Sequence, residues 1–526
     1  MMLWAVLLTG SCERLDLIPE NTFTDASYWS STDKALTFLN TAYSQLYSAN
    51  AFFYNEGLSD NAWAGDQGVI AIATGTYDAS QGRIQAEWDG RYAGIKTCNL
   101  FLANVDRVPN MDEELRERTK AEARFLRAWQ HFQLMTWFGD VPLLQTDPTI
   151  EEAQTLTRTP RAEVLSFIRS ELAAVIDILP TKEGYAEADR GRITKAAAIA
   201  FLARVNLYEG DWQEVVTLTD RIISGEVGDY GLFPSYEDLF LPENEYSQED
   251  ILSLQYVPEV RMWNEFFDIA PLSAGARLNN LAPSQELVDS YLTLSGRSID
   301  DPASGYDESD PYTNRDPRLT ATVVYHGYQW EDRNGTHTIY IEPGSDPDVP
   351  IDEYAPGSST TKTGYYTRKY FDPTHQTALS SGLNLMLIRY ADVLLMHAEA
   401  KVELGEMDQS VWDLTIRPLR ERAGFTDPAA LDFPGGDQAS LRSVVRNERR
   451  VELAMEGLRI FDIRRWRIAD EVLDGWLHGA RFGPATTDDG YIRVQQRNFD
   501  PAKHYLWPIP RDERLINDNL SQNPGW

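Results

Sequence analysis

The chain has 526 residues, 42% hydrophobic and 25% charged, the composition of a folded protein and far from the polar, aromatic-poor signature of disorder. That length exceeds one ordinary hydrophobic core, so several packed units or an extended repeat array are predicted. A formal net charge of -33, with no run of Lys and Arg to offset it, repels phosphate backbones and excludes nucleic acid as a partner.

At the N-terminus, Met1 to Leu8 form an apolar octet, Thr9-Gly10-Ser11 are small, and Cys12 follows at once. This is the layout of a bacterial lipoprotein signal, with 1–11 as the signal remnant and Cys12 as the lipidated residue. Two features depart from it: no Lys or Arg precedes the apolar run, and eight residues is short. A frayed apolar terminus with an incidental cysteine is the alternative. Beyond Cys12 no 18-residue apolar stretch occurs, so the sequence predicts a protein anchored to a membrane rather than inserted in it.

Helical periodicity then dominates the first 220 or so residues. Ser31-Thr32-Asp33 can cap a helix running to about Ala49, with Ala35, Phe38, Leu39, Ala42 and Leu46 on one face. Further helices are predicted over Glu87 to Val105, Glu113 to Phe138, Arg161 to Leu179, Ile193 to Glu209 and Asp211 to Ser224. Cys98 falls inside the first of these and reads as a buried structural thiol. Ala196, Ala197, Ala200 and Ala203 allow close helix approach, and Gly210-Asp211-Trp212 turns the chain directly into an antiparallel neighbour.

Between about Gly228 and Ser381 the periodicity fades, and Gly, Pro, Asp, Ser and aromatics accumulate. Thr320 to Tyr325 and Thr336 to Ile341 are predicted as short strands, and Gly305 to Pro317 and Pro343 to Pro356 as loops. The helical layout returns in Arg389 to Leu404, Gly405 and a second helix around Gln409 to Ala423, in which Pro418 predicts a kink. The fold expected is mainly α: a degenerate tetratricopeptide-like helix-hairpin scaffold with an inserted, irregular loop-rich lobe containing a few short strands. The corresponding division is 1–11, 12–227, 228–381 and 382–526, the last completing the scaffold.

Glu448, Glu452 and Glu456 recur every four residues, with Arg446, Arg449 and Arg450 as counter-ions within a turn, which predicts an ion-pair lattice tying helices together. Pro508 and Pro510 fix an extended tail whose aromatic neighbours pack on the scaffold.

Four separated segments resemble the SusD/RagB family of outer-membrane nutrient-binding lipoproteins. They are Cys12-Glu13-Arg14-Leu15-Asp16-Leu17-Ile18-Pro19 with Tyr28-Trp29 and Asn40-Thr41-Ala42-Tyr43, and Ala121-Glu122-Ala123-Arg124-Phe125-Leu126-Arg127-Ala128 with Trp137-Phe138-Gly139-Asp140. The third begins Ile388-Arg389-Tyr390-Ala391-Asp392 and continues through Arg446-Asn447-Glu448-Arg449-Arg450-Val451-Glu452-Leu453 to Phe461-Asp462-Ile463-Arg464-Arg465-Trp466. The fourth is the ending, Leu506-Trp507-Pro508-Ile509-Pro510 and Asn519 to Trp526. The resemblance implies a non-catalytic protein on the extracellular face of the outer membrane. It would act as a hinged lid over a SusC-like TonB-dependent transporter, capturing oligosaccharide or peptide for import. No cofactor is implied.

Ligand residues are variable in such proteins, so candidates come from chemistry. A sugar ring presents C–H faces to an aromatic plane and hydroxyls to polar side chains. Aromatic and polar residues interleave around Asn61, Trp63 and Asp66, around Trp88, Arg91 and Tyr92, at Trp263, and at Tyr328 and Trp330. Each stretch also reads as aromatics packed beneath loops. The Asp-rich loops at Asp300 to Asp316 and Asp346 to Asp352 lack calcium-loop spacing and read as solvated turn acids, so no metal is expected. No H-E-x-x-H pair, Gly-x-Ser-x-Gly elbow or phosphate loop occurs. A surface glycoside hydrolase with paired carboxylates is one alternative, and a protein-interaction scaffold with no ligand of its own is the other.

Overall fold

The computed structural model describes residues 29–332, 335–374 and 380–526. Cys12 and the segment matching the family's mature start, up to Tyr28, lie outside the described residues.

Eight long helices carry the scaffold: α1 (Thr32–Ser44), α2 (Gly82–Asn104), α3 (Glu113–Phe138), α4 (Arg161–Ile176), α5 (Lys195–Glu209), α6 (Trp212–Ile223), α7 (Tyr390–Glu403) and α8 (Gln438–Glu452). Successive members pack side by side, α2 on α3, α3 on α4, α4 on α5, α5 on α6, α6 on α7 and α7 on α8. This is the stacked-hairpin arrangement expected of a tetratricopeptide-like scaffold. Local chemistry sets the ends. Asp112 accepts the Leu115 N–H at 2.9 Å to start α3, which stops at Gly139 with φ +74°. Thr194 caps α5 through the Ala197 N–H at 3.1 Å. At its other end Gly210, with φ +76°, lets the Asp211 N–H reach back to the Asn206 carbonyl at 3.0 Å. The α5 alanines have no exposed surface, so this helix is enclosed by its neighbours rather than amphipathic. Cys98 is buried on α2 as expected.

Two expectations need correction. Thr320 to Tyr325 is not one strand: Pro317–Thr322 is helical and only Val323–Val324 is extended. The reason lies just upstream, where Asp316 caps the Arg318 N–H at 3.0 Å and Pro317 occupies the first helical position. The kink expected at Pro418 is present but falls upstream of it, dividing Gln409 to Ala423 into Gln409–Leu414 and Ile416–Ala423. The break falls at Thr415, with φ -117° and ψ -68°, three residues before Pro418. A proline clashes with the carbonyl four positions back and lacks the N–H to bond it, so the distortion appears upstream.

The residues from 228 to 381 supply short strands and loops, two of these strands pairing with strands from outside that range. β1 (Ala62–Ala64), β2 (Asp250–Leu254), β3 (Leu281–Pro283) and β4 (Leu385–Arg389) form two antiparallel ribbons, β1 with β3 and β2 with β4, and Tyr328–Asp332 pairs with Gly335–Ile339. This region shares the scaffold's core: Tyr370 packs edge-on against Phe52 and Phe53, at 5.5 and 6.0 Å between ring centres. The aromatic tail packs as predicted, with Trp507 parallel to Trp137 at 3.9 Å.

The ion-pair lattice exists, but with different partners from those expected. Glu448 pairs with Arg318 and Arg420, Glu452 with Arg318, Arg389 and Arg422, and Glu456 with Lys369 and Arg389. The nearby arginines point elsewhere, Arg446 to Glu403, Arg449 to Asp392 and Asp462, and Arg450 to Asp60. On a helix adjacent residues sit about 100° apart, so an arginine next to a glutamate faces a different neighbour.

Candidate functional site

The β1/β3 ribbon places the first predicted residues. Ala62 and Ala64 are buried, and alternation along the strand turns Trp63 outward, where it is half-buried opposite Ala282. The Gly65 N–H continues the ladder to the Asn280 carbonyl at 2.8 Å. A side chain at Gly65 would put its first carbon 2.0 Å from Asn280 Oδ1 and 3.0 Å from the tip of the Trp63 indole. The indole edge and the Asn280 carboxamide therefore flank this glycine.

Behind them is a fixed polar chain. Asn280 Nδ2 donates to the Tyr54 hydroxyl at 2.7 Å, Tyr54 donates to Asp268 Oδ2 at 2.8 Å, and Arg277 donates to Asp268 Oδ1 at 3.3 Å. Burial pushes the Asp268 carboxyl up, partly countered by Tyr54 and Arg277. Asp66 caps the short helix Gln67–Ala73 through the Val69 N–H at 3.0 Å, with Gln67 exposed beside it. Asn61 faces inward, between Glu56 at 3.1 Å and Arg450 at 2.8 Å, and positions the loop from below.

The other candidates lie apart from this surface. Trp88 is buried on α2 and Tyr92 half-buried, and both line a largely apolar groove of about 500 Å3 with Leu144, Ile150, Leu156 and Ile516. Arg91 points the other way, donating to Glu87 at 2.8 Å and to the Leu46 carbonyl at 3.0 Å. Trp263 is buried, its indole N–H on the Leu383 carbonyl at 2.7 Å. Tyr328 is buried with its hydroxyl on the Thr320 carbonyl, and Trp330, with 0% exposure, packs on Phe371 at 4.6 Å. The Trp263, Tyr328 and Trp330 rings, so enclosed, present no face to a ligand in this structure, whereas Tyr92 borders the groove.

Sequence reading missed Tyr54, Asp268, Arg277 and Asn280. No local pattern marks them, because only the β1/β3 pairing brings them beside Trp63. Among the described residues no group of three or more His, Cys, Asp or Glu side chains could hold a metal ion. Asp301 and Asp307 bond their own turns, through the Ala303 and Ser309 N–H groups, but the reading of these loops as solvated acids fails at Asp316, buried against Arg318, and at Asp352, buried and accepting the Ser273 N–H.

The stacked helix-hairpin scaffold thus carries an aromatic and amide surface on its loops. Residues 263–526 match the model described as the SusD family, and residues 15–207 match the one described as starch-binding, associating with the outer membrane. The chain belongs to the SusD/RagB family. It is 26% identical to SusD-like protein P2 of Formosa agariphila over 99% of this chain and 98% of that protein. It is 23% identical to the starch-binding protein SusD of Bacteroides thetaiotaomicron over 88% and 82% respectively. A crystal structure of a SusD-like carbohydrate-binding protein from Bacteroides fragilis superposes with a TM-score of 0.84 at 31% identity, covering 94% of this chain and all of that one. No helix among the described residues is long and apolar enough to cross a membrane.

Proposed function

We propose that this chain is a surface-exposed, non-catalytic glycan-binding lipoprotein that captures an oligosaccharide and delivers it to a SusC-like TonB-dependent transporter, over which it acts as a lid. The single observation carrying the binding role is the half-buried Trp63, held on a paired strand beside the Asn280 carboxamide, with Arg277 and Gln67 exposed nearby. An aromatic plane bordered by amide and charged donors matches the two chemistries of a pyranose ring. The names of its relatives as starch- and carbohydrate-binding proteins support the same ligand class. Within 12–227, β1 and the short helix after it would supply Trp63 and Gln67, while 228–381 supplies Asn280 and Arg277 from the loop leading into β3. The anchor would be a lipid on Cys12 in the outer membrane, with the scaffold facing outward.

The test is affinity electrophoresis and calorimetry on a panel of neutral polysaccharides and peptides, with reducing ends followed in parallel. Binding of a glycan without release of reducing ends is expected. Sustained release would make the chain a hydrolase. If only a transporter co-purified and no soluble ligand bound, the chain would be a scaffold. Cys12→Ala in a full-length precursor is expected to release the protein from membranes, and unchanged retention would remove the lipid from the proposal.

A further inference from the structure

A second concavity, of about 430 Å3, opens between the segment joining α4 to α5 and the approach to β2, and it shares no lining residue with the Trp63 surface. Three tyrosines, Tyr185, Tyr230 and Tyr246, line it together with Lys182, Arg190 and Asp250. Its walls are set by the fold before any ligand arrives. The Tyr185 hydroxyl donates to the Ile193 carbonyl at 2.7 Å, and the Tyr246 hydroxyl to Gln255 Oε1 at 2.6 Å. Tyr246 holds φ at +59°, a left-handed conformation that is strained for a bulky residue and persists only when the surroundings over-determine it. That conformation carries its ring under the Arg190 guanidinium, 4.6 Å from the ring centre. Gly191, with φ +88°, lets the backbone close to within 2.4 Å of Gln255 Oε1, counted from where a side chain would begin.

Two charged groups in this rigid frame have no ionic partner within 4.0 Å among the described residues. The Lys182 ammonium donates only to the Tyr246 and Ser247 carbonyls, at 3.1 and 2.6 Å. The Asp250 carboxylate accepts the Ser253 hydroxyl at 2.7 Å on Oδ1. Both are half-buried, and burial pushes the Asp250 carboxyl up and the Lys182 ammonium down, so each gains from a further hydrogen-bonding partner.

The chemistry of that partner is restricted. A cationic ligand would meet Lys182, Arg190 and Arg192, and an anionic one Asp250, Asp229 and Glu183, all of which line the space. An uncharged ligand whose neighbouring groups both donate and accept suits both charges: one hydroxyl can donate a hydrogen bond to Asp250 and another can accept one from Lys182. The three tyrosines and Leu252 among the lining residues supply apolar contact for C–H groups. A cleft of this volume encloses a short ligand rather than a polymer in passage. The geometry points to a second saccharide site here, taking a neutral mono- or disaccharide through Asp250 and Lys182, separate from the Trp63 surface. It rests on the reading of the chain as a glycan binder and adds a pocket with a different size preference.

Ligand-detected NMR with a panel of neutral disaccharides tests it on the whole protein and on Asp250→Asn, Lys182→Met and Trp63→Ala, each first checked for an unchanged thermal transition. The expected result is disaccharide binding that falls at least tenfold in Asp250→Asn and Lys182→Met and is unchanged in Trp63→Ala, while polymer retention in affinity gels shows the opposite dependence. Disaccharide binding lost in Trp63→Ala and kept in Asp250→Asn would overturn the second site and leave the glycan reading intact. The same holds if polymer binds and no disaccharide does. Preference for glucosamine or glucuronate over neutral sugars would overturn the ligand class. If neither polymer nor disaccharide bound, the underlying glycan reading would fail first.

Discussion

Arg389 on β4 donates to Glu452 on α8 at 2.7 Å, a contact between residues 63 apart in the chain. Both side chains are buried, and Arg318 and Arg422 converge on the same carboxylate. Removing that charge leaves three guanidiniums facing a neutral group, and breaking a buried pair in this way costs about 3–5 kcal/mol. Glu452→Gln is expected to lower the unfolding free energy by that amount in chemical denaturation. A loss under 1 kcal/mol would show that the lattice is not a tertiary clamp.

The same carboxylates set the acid limit of stability. Burial alone would raise the Glu452 carboxyl, but Arg422, Arg389 and Arg318 outweigh it and hold it well below the usual range; Arg204 and Arg449 do the same for Asp392. Folded values below the unfolded ones, roughly 4, mean the unfolded chain binds protons first on acidification. Stability contributed by these groups is complete above about pH 5 and is lost as pH falls further. Unfolding midpoints measured from pH 7 to pH 3 should drop steeply below pH 5, and less steeply in Glu452→Gln.

Gly457 follows this lattice with φ +74°, and a side chain there would begin 2.2 Å from the Phe52 carbonyl oxygen, a backbone atom. Gly457→Ala combines left-handed strain with a clash that no side-chain rotation relieves. It is expected to cost more than about 2 kcal/mol or to prevent soluble expression. A thermal midpoint equal to the parent's would contradict the packing of this turn on Phe52.

Gly65 faces a softer neighbour, the end of the Asn280 side chain 2.0 Å away. Gly65→Ala should therefore displace that carboxamide, and Trp63→Ala should remove the aromatic plane. Each is expected to weaken glycan binding roughly tenfold, about 1.4 kcal/mol, with little change in melting temperature. By contrast Trp330→Ala, at a ring with no exposure, should cost about 3–5 kcal/mol of stability and leave affinity alone in whatever protein folds. Calorimetry paired with differential scanning fluorimetry separates the three.

Cys98 is a free thiol enclosed on α2, and burial pushes it up to about 12. Because the thiolate is the reactive form, iodoacetamide should not label it in the native protein and should do so once denaturant is added. Native labelling at neutral pH would mean that α2 opens locally.

Local pattern was enough for the helical scaffold, because a repeat of 3.6 residues in apolar positions, with Asp112 or Thr194 before and Gly139 or Gly210 after, is legible along the chain. It also determined the family, since ordered motifs such as Arg389-Tyr390-Ala391-Asp392 need no coordinates to be recognised. Periodicity says that a face is covered but not by what. Glu448, Glu452 and Glu456 were legible as a row, while their partners at Arg318, Lys369, Arg389, Arg420 and Arg422 come from separate segments of the chain. In the loops there is no period at all. Trp63 and Trp330 both sit among polar neighbours in sequence, yet one is half-buried and the other sealed. The difference arises in three dimensions, because whether a ring meets solvent depends on β1 pairing with β3, more than 200 residues away, and on Phe371 closing over Trp330.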